Sequence, residues 1–274
     1  MCDHGAEMAH RERIVEWFIL VCVGLFCTRS CADAEFIREI RGDPALITYV
    51  KSKYEHTKHG LSYLLYPAKT PKQLWVLFNG ATVGKYTMWS WFWRDDQAWD
   101  DIAYLFLKDD DIRWYLGSVE EPKTPLYYDI IMTVLQQLRL EQSQLCMIGH
   151  SMGGYAALYY GLLLGAGCVY VFRPQVTWDA AALYYSVKKL EDVWTDIDVL
   201  ARSVENLPAL YLQYGEFLSD KLSGKALVDV YAERQGLLLL ERTAHEEHVG
   251  FHPTKEQIEG TIAFMMNYKD ASSP

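Results

Sequence analysis

Apolar residues along the chain follow two alternating periodicities. Short, nearly continuous apolar runs read as strands: "ALITYV" (45–50), "LSYLLY" (61–66), "LWVLF" (74–78), "IAYLFL" (102–107), "QLCMI" (144–148), "CVYVF" (168–172), "ALYLQYG" (209–215) and "GLLLL" (236–240). Between the later runs the spacing changes to three and four, the period of a helix with one buried face. Thr124-Pro125 opens such a helix, carrying Leu126, Ile130, Val134, Leu135 and Leu138 on one side. Thr suits a helix cap and Pro the first turn. A second helix follows Ser151 with Ala156, Ala157, Tyr160 and Leu164, and a third follows Pro253-Thr254 with Ile258, Ile262, Phe264 and Met265. Strands that alternate with helices require crossover connections. The pattern therefore predicts an α/β fold with a mostly parallel central sheet and helices on both faces. The polar "KSKYEHTKHG" reads as a hairpin-like connection between the first two strands, and the tail "KDASSP" as frayed. Residues 174–206 look helical but break the rhythm, as a cap inserted after about residue 173 would.

Composition narrows the function. The chain has 274 residues, half of them apolar, enough for one large domain over about 35–270. Its formal charge of −10 and lack of Lys/Arg clusters exclude nucleic acid and anionic membrane as main partners. At the start, "RERIVEWFILVCVGLFCTRSCADA" places an apolar run after Arg11 and Arg13, so residues 1–34 read either as a signal peptide cleaved after Ala34 or as a hydrophobic helix packed on a cytoplasmic domain. The run is short for a transmembrane helix, and contact with a membrane would come only through this leader if it is retained. Acidic residues Asp3, Glu7, Glu12 and Glu16 spoil the positive leader of an exported protein, which favours the cytoplasmic reading. Cys146 and Cys168, the two cysteines beyond the leader, fall in strand-like runs and read as free core thiols.

The chemistry centres on "LCMIGHSMGGYAALYYG" (145–161), where Ser151 stands between an apolar strand and an amphipathic helix. A serine at a sharp strand-to-helix turn projects its oxygen but strains its backbone, and the residues two places either side must be small; Gly149 and Gly153 meet that need. With its context, "GHSMGG" resembles the nucleophile elbow of the α/β-hydrolase superfamily, over about Leu61 to Met266. The resemblance implies a triad in the chain order Ser, acid, His. "LLLLERTAHEEHVGFHP" offers His245 first and His248 as the alternate, with His252 placed to cap the last helix. For the acid, "LYLQYGEFLSDKL" offers Asp220, with Glu216 as the alternate; the superfamily's usual acid position after the glycine is occupied by Leu218. The resemblance further implies an oxyanion hole from the amide of Met152 and the loop carrying Gly80 and Ala81. No cofactor or metal is required for this chemistry, and His245, His248 and His252 do not fit one helix face for a metal because Gly250 and Pro253 interrupt it.

"LFLKDDDIRWYLGS" and the Pro174-Gln175 pair are similar, less specifically, to α/β-hydrolase-like proteins of bacterial capsule and surface-polysaccharide biosynthesis, some of them O-acetyltransferases. The expected substrate is a small-molecule ester or acyl donor, with water or a glycan hydroxyl as acceptor. Asn79, Trp89, Trp114, Gln175 and Trp178 are the candidate pocket residues, with Trp91 and Trp93 beside them, because aromatic faces pack on sugars and acyl groups alike. The rival class is a non-catalytic binding or assembly module that keeps the fold.

Overall fold

A computed structural model describes residues 43–93, 100–183, 185, 187–248 and 253–272. The leader 1–34 and His252 lie outside the described residues. Two compact units are distinguished, Met1–Ile47 and Thr48–Pro274, and the sheet belongs to the second.

The elements in chain order are α1 (Pro44–Tyr54), β1 (Glu55–Lys58), β2 (Leu61–Tyr66), β3 (Gln73–Phe78), β4 (Ile102–Leu107), α2 (Thr124–Gln137), β5 (Leu145–His150), α3 (Met152–Leu164), β6 (Cys168–Phe172), α4 (Trp178–Ala182), α5 (Ile197–Ser203), β7 (Ala209–Tyr214), α6 (Leu218–Glu233), β8 (Leu238–Arg242) and α7 (Lys255–Ser272). Eight strands form one sheet in the order β1-β2-β4-β3-β5-β6-β7-β8. β1–β2 and β2–β4 are antiparallel, and every other neighbouring pair is parallel. Every residue of β6 and β7 is buried, as expected for parallel strands covered on both faces. Leu74, Val76, Met147, Val169, Val171 and Leu212 join one core with the apolar faces of α2, α3 and α6. α7 packs on β6 and β7 and buries Ile258, Ile262 and Met265.

Five expectations need correction. "ALITYV" is helical, because the Asp43 carboxylate accepts the amide of Ala45 at 2.8 Å and caps a first turn begun by Pro44, while Val50 and Tyr54 bury one face at a spacing of four. The polar connection conceals β1, an edge strand with no apolar residue. Its two-residue turn, His59 (φ 53°) and Gly60 (φ 76°), is left-handed at both positions, the geometry that matches strand twist in a tight hairpin. The last strand begins at Leu238, and α7 continues to Ser272, so it takes in most of the tail expected to fray. Lys123 rather than Thr124 stands at the cap position of α2, with no side-chain cap.

Between β6 and β7 the chain forms short helical pieces. α4 packs on α6, and α5 on α3 and α6. Asp196 ties the segment together, accepting the Trp178 amide at 2.6 Å and the Trp194 indole N–H at 2.8 Å on one oxygen. Cys146 and Cys168 are register partners on β5 and β6, free and buried, with sulfurs 2.8 Å apart. Burial pushes the Cys146 thiol well up.

Candidate active site

Ser151 links β5 to α3 with φ 56° and ψ −125°, a conformation an L-residue holds only when its surroundings enforce it. The enforcement is visible at two glycines. A Cβ on Gly149 would lie 2.0 Å from the Gly153 carbonyl oxygen, and a Cβ on Gly153 would lie 2.4 Å from that of Phe78. Only glycine at both positions lets the elbow close against the end of β3. The Ser151 amide donates to the Phe172 carbonyl at 3.2 Å, fixing the turn to β6.

His248 meets this serine. Its Nε2 lies 2.8 Å from Ser151 Oγ, and its Nδ1 lies 2.6 Å from Asp220 Oδ1. All three are buried. With the Nδ1 hydrogen on Asp220, Nε2 carries the lone pair and faces the serine hydroxyl. Asp220 sits in the first turn of α6, two residues beyond the position at which the superfamily's usual acid would fall. Burial pushes its carboxyl above the ordinary aspartate value, opposed by the hydrogen bond and charge of His248 and by the Arg173 guanidinium.

His245 and Glu216 are not brought to the serine. Backbone pairing continues past the ends of β7 and β8: the Thr243 amide donates to Tyr214 and the Glu216 amide to the His245 carbonyl, at 2.9 and 2.7 Å. That pairing holds His245 at the sheet margin with its side chain exposed, and the chain turns inward only at His248. Glu216 accepts from Arg242 at 2.7 Å and Lys221 at 2.9 Å at the surface, and these partners hold its carboxyl below the usual range.

Further residues surround the serine. Gln175, fully buried, places Oε1 3.1 Å from Ser151 Oγ and Nε2 3.1 Å from His248 Nε2. The Tyr185 hydroxyl lies 3.2 Å from Ser151 Oγ. Arg173, also fully buried and left-handed at φ 50°, donates from one terminal nitrogen to the Glu247 carbonyl at 2.9 Å, beside His248. Its desolvation pulls the guanidinium pKa down. His150 stacks between the rings of Phe172 and His248, at 4.8 and 5.5 Å.

The tryptophans divide. Trp114 packs edge-on against Tyr185 at 5.2 Å and against Trp194 at 6.0 Å, and Trp194 meets Trp178 at 5.9 Å and Tyr155 at 4.4 Å. Trp114, expected to line the pocket, is fully buried in the core; the accessible part of this aromatic wall is the half-buried Trp178, Tyr185 and Trp194, and it reaches the serine through Tyr185. Asp109 builds the loop that presents Trp114, its carboxylate accepting the amides of Arg113 and Tyr115 at 2.6 and 3.0 Å, while Ile112, Trp114 and Tyr115 are all left-handed. Trp89 and Trp93 instead belong to a layer around Tyr66: the Trp89 carbonyl accepts the Tyr66 hydroxyl, and the Trp93 ring lies 6.2 Å from that of Tyr66. Asn79 is committed to its own loop, donating to the Thr82 carbonyl at 2.6 Å and accepting the Thr87 hydroxyl, so its side chain shapes the loop and is not offered to a substrate. That loop carries Gly80 and Ala81, and Gly80 lies against the His150 carbonyl. Met152 begins α3, where the first amides have no intrahelical acceptor.

Tyr185, Trp194 and Arg173 were not singled out by sequence. "FRPQ" and the aromatic-rich insertion held the signal, but nothing local in either shows which side chains turn inward.

A strained serine, an imidazole and a buried carboxylate on the carboxyl side of a parallel sheet define a protein with the α/β-hydrolase fold, and the comparisons agree on the fold. No protein-family model matches the chain. Over 87 residues, 32% of this chain, it is 31% identical to an accessory Sec system protein of Staphylococcus aureus (strain NCTC 8325 / PS 47), and the match spans only 16% of that relative's length. Among solved structures it is similar to the capsule O-acetyltransferase of Neisseria meningitidis serogroup A (TM-score 0.56, 14% identity, 79% of this chain and 93% of that one). It is also similar to the Glycosylation Associate Protein (Gap123) complex of Streptococcus agalactiae (TM-score 0.55, 16% identity, 80% of this chain and 46% of that one). A third is FphF, a fluorophosphonate-binding serine hydrolase of Staphylococcus aureus (TM-score 0.54, 12% identity, 79% and 96%).

Proposed function

We propose that the protein is a serine acyl-transfer enzyme whose covalent acyl-Ser151 intermediate passes its acyl group to a glycan hydroxyl. The observation that carries this reading is the continuous hydrogen-bonded chain from Asp220 through His248 to an elbow serine. In this reading His248 takes the Ser151 proton as Oγ attacks the acyl carbon, then gives it to the leaving group. Asp220 holds the tautomer and stabilises the imidazolium. The Met152 amide, with Ala81 and Gly80, faces the developing oxyanion. In deacylation His248 takes the proton of the acceptor and returns it to Ser151.

A glycan acceptor is supported by the half-buried rings of Trp178 and Trp194, since sugar faces pack on aromatic rings, and by the fold shared with a capsule O-acetyltransferase. Simple ester hydrolysis uses the same residues with water as acceptor. The sequence similarity to an accessory Sec system protein supports a second reading, a role in a protein assembly without catalysis. Intact-mass measurement after incubation with a fluorophosphonate or p-nitrophenyl acetate separates the classes. Stoichiometric labelling, absent in Ser151→Ala, is the expected result; an unlabelled wild type would favour the assembly role.

A further inference from the structure

We propose that Gln175 protects the acyl-enzyme from water: its amide N–H occupies the lone pair of His248 that a deacylating nucleophile needs, and only an acceptor held by other contacts displaces it. This inference rests on the serine reading above. The amide orientation follows from its neighbours. The His248 Nε2 lone pair at 3.1 Å and the Arg173 carbonyl at 3.4 Å both need a donor, so the amide nitrogen faces them and Oε1 faces Ser151, whose single hydroxyl hydrogen goes to His248. The amide cannot drift far, because the backbone around it is tied to three elements. Arg173 N–H donates to Gln213 at 2.7 Å, Val176 N–H to Ser223 Oγ at 3.1 Å, and the Val176 carbonyl accepts from Ile197 at 2.9 Å.

A neutral imidazole offers one lone pair, and here two donors converge on it, Ser151 at 2.8 Å and Gln175 at 3.1 Å. Acylation removes the serine proton and leaves the Gln175 N–H on Nε2. For deacylation the acceptor O–H must take that place: its proton passes to Nε2, its oxygen bonds to the acyl carbon, and the oxyanion collapses. The bond from Ser151 Oγ to the acyl carbon then breaks as Nε2 returns the proton to Oγ. The balance is one ester and one hydroxyl converted to a new ester or acid and free serine. Water has only its own hydrogen bonds with which to displace the amide. A glycan held on the aromatic wall brings binding energy from contacts remote from the reacting atoms.

The test is single-turnover deacylation. Wild type, Gln175→Leu and Gln175→Met are acetylated with p-nitrophenyl acetate, excess ester is removed, and loss of the acetyl mass from Ser151 is followed in buffer without acceptor. Leu has no polar atom and Met has no hydrogen to donate, so both free the lone pair, and the two differ in shape. The expected result is that hydrolytic loss of acetyl, taken relative to each variant's own acylation rate, is about tenfold faster in both variants than in wild type. A merely structural role would slow both half-reactions. Deacylation, taken in the same relative way, within twofold of wild type, or slowed, in a variant with an unchanged melting midpoint would overturn the role. Should the Leu variant not fold, the Met variant decides alone. A wild type that never acquires the acetyl group would overturn the serine reading itself, whereas normal acetylation with unaltered loss overturns only the part given to Gln175.

Discussion

Two buried regions of this molecule use opposite chemistry. Around β2, β3 and β4, Tyr66, Trp75, Phe92, Tyr104 and Phe106 are packed ring against ring, with centroids from 4.5 Å for Phe92–Tyr104 to 6.5 Å for Tyr104–Phe106. At the carboxyl ends of β5, β6 and β7 the buried groups are Ser151, Arg173, Gln175, Gln213, Asp220 and His248. The first region removes apolar surface from water with few polar atoms to satisfy, which stabilises a fold directly. The second desolvates a guanidinium, a carboxylate and an imidazole, where apolar side chains of equal volume would be as stable or more so. The polar region is held in place by the elements around it and contributes little stability that neutral packing would not.

Substitutions in the polar region should therefore remove activity and leave the fold, and the largest effects belong to the serine and its base. Ser151→Ala and His248→Ala should each lower ester turnover by at least about 10⁴-fold, because removing either member of such a unit costs about as much as removing the whole of it. The Ser151→Ala midpoint should equal or exceed that of wild type, whereas His248→Ala leaves the buried Asp220 carboxylate without its partner and should melt lower. His245→Ala is the control and should stay within about twofold; a large loss there with an active His248→Ala would move the base to His245. Asp220→Asn comes next, at on the order of 10³- to 10⁴-fold, since an amide favours the wrong imidazole tautomer, while Glu216→Gln should change turnover less than about threefold. Steady-state rates with p-nitrophenyl acetate beside thermal melts check all five.

The aromatic region predicts the reverse. Phe92→Ala removes a ring packed on Trp75 and Tyr104 and should destabilise by about 3–5 kcal/mol, seen as a melting midpoint lower by roughly 10 °C, with turnover per folded molecule unchanged. A loss of specific activity in the folded variant would join the two regions and break the contrast.

What sequence could show follows the same division. Ser151 was legible because its requirements are local: a strand, two small neighbours and a helix within one short stretch. Strands β2 to β7 were legible because buried parallel strands are apolar throughout, whereas β1 was hidden because an edge strand of Glu, His, Thr and Lys carries no such signal. Asp220 could be reached by the order the family resemblance implies. The choice between His245 and His248 could not, because it turns on how far pairing between Tyr214–Glu216 and Thr243–His245 persists beyond the strands, a long-range property. Gln175, named as a pocket residue, and Tyr185, not named at all, reach the serine only through the path of the insertion. Trp89 and Trp114 looked alike in sequence and were separated by loops whose course depends on Asn79 and Asp109.

The smallest effect tests whether Arg173 belongs to the polar region by charge or only by position. Its guanidinium lowers the Asp220 carboxyl pKa against the upward push of burial, and its terminal nitrogen holds the Glu247 carbonyl. In Arg173→Met the first influence disappears and the Asp220 pKa rises further. At a given acidic pH more of Asp220 is then protonated and unable to stabilise the His248 imidazolium, so the acid limb of kcat/KM should move to higher pH, with activity recovering to within roughly tenfold on the alkaline side. This limb is a loss of activity and not of fold. A carboxyl whose folded pKa lies above its unfolded one takes its proton in the folded chain first, so falling pH through that window favours the folded state. Arg173→Lys keeps the charge and should return the limb toward wild type even if its bond to Glu247 is poorer. A uniform loss across pH in Arg173→Met, equal in Arg173→Lys, would assign Arg173 to positioning of the His248 loop alone.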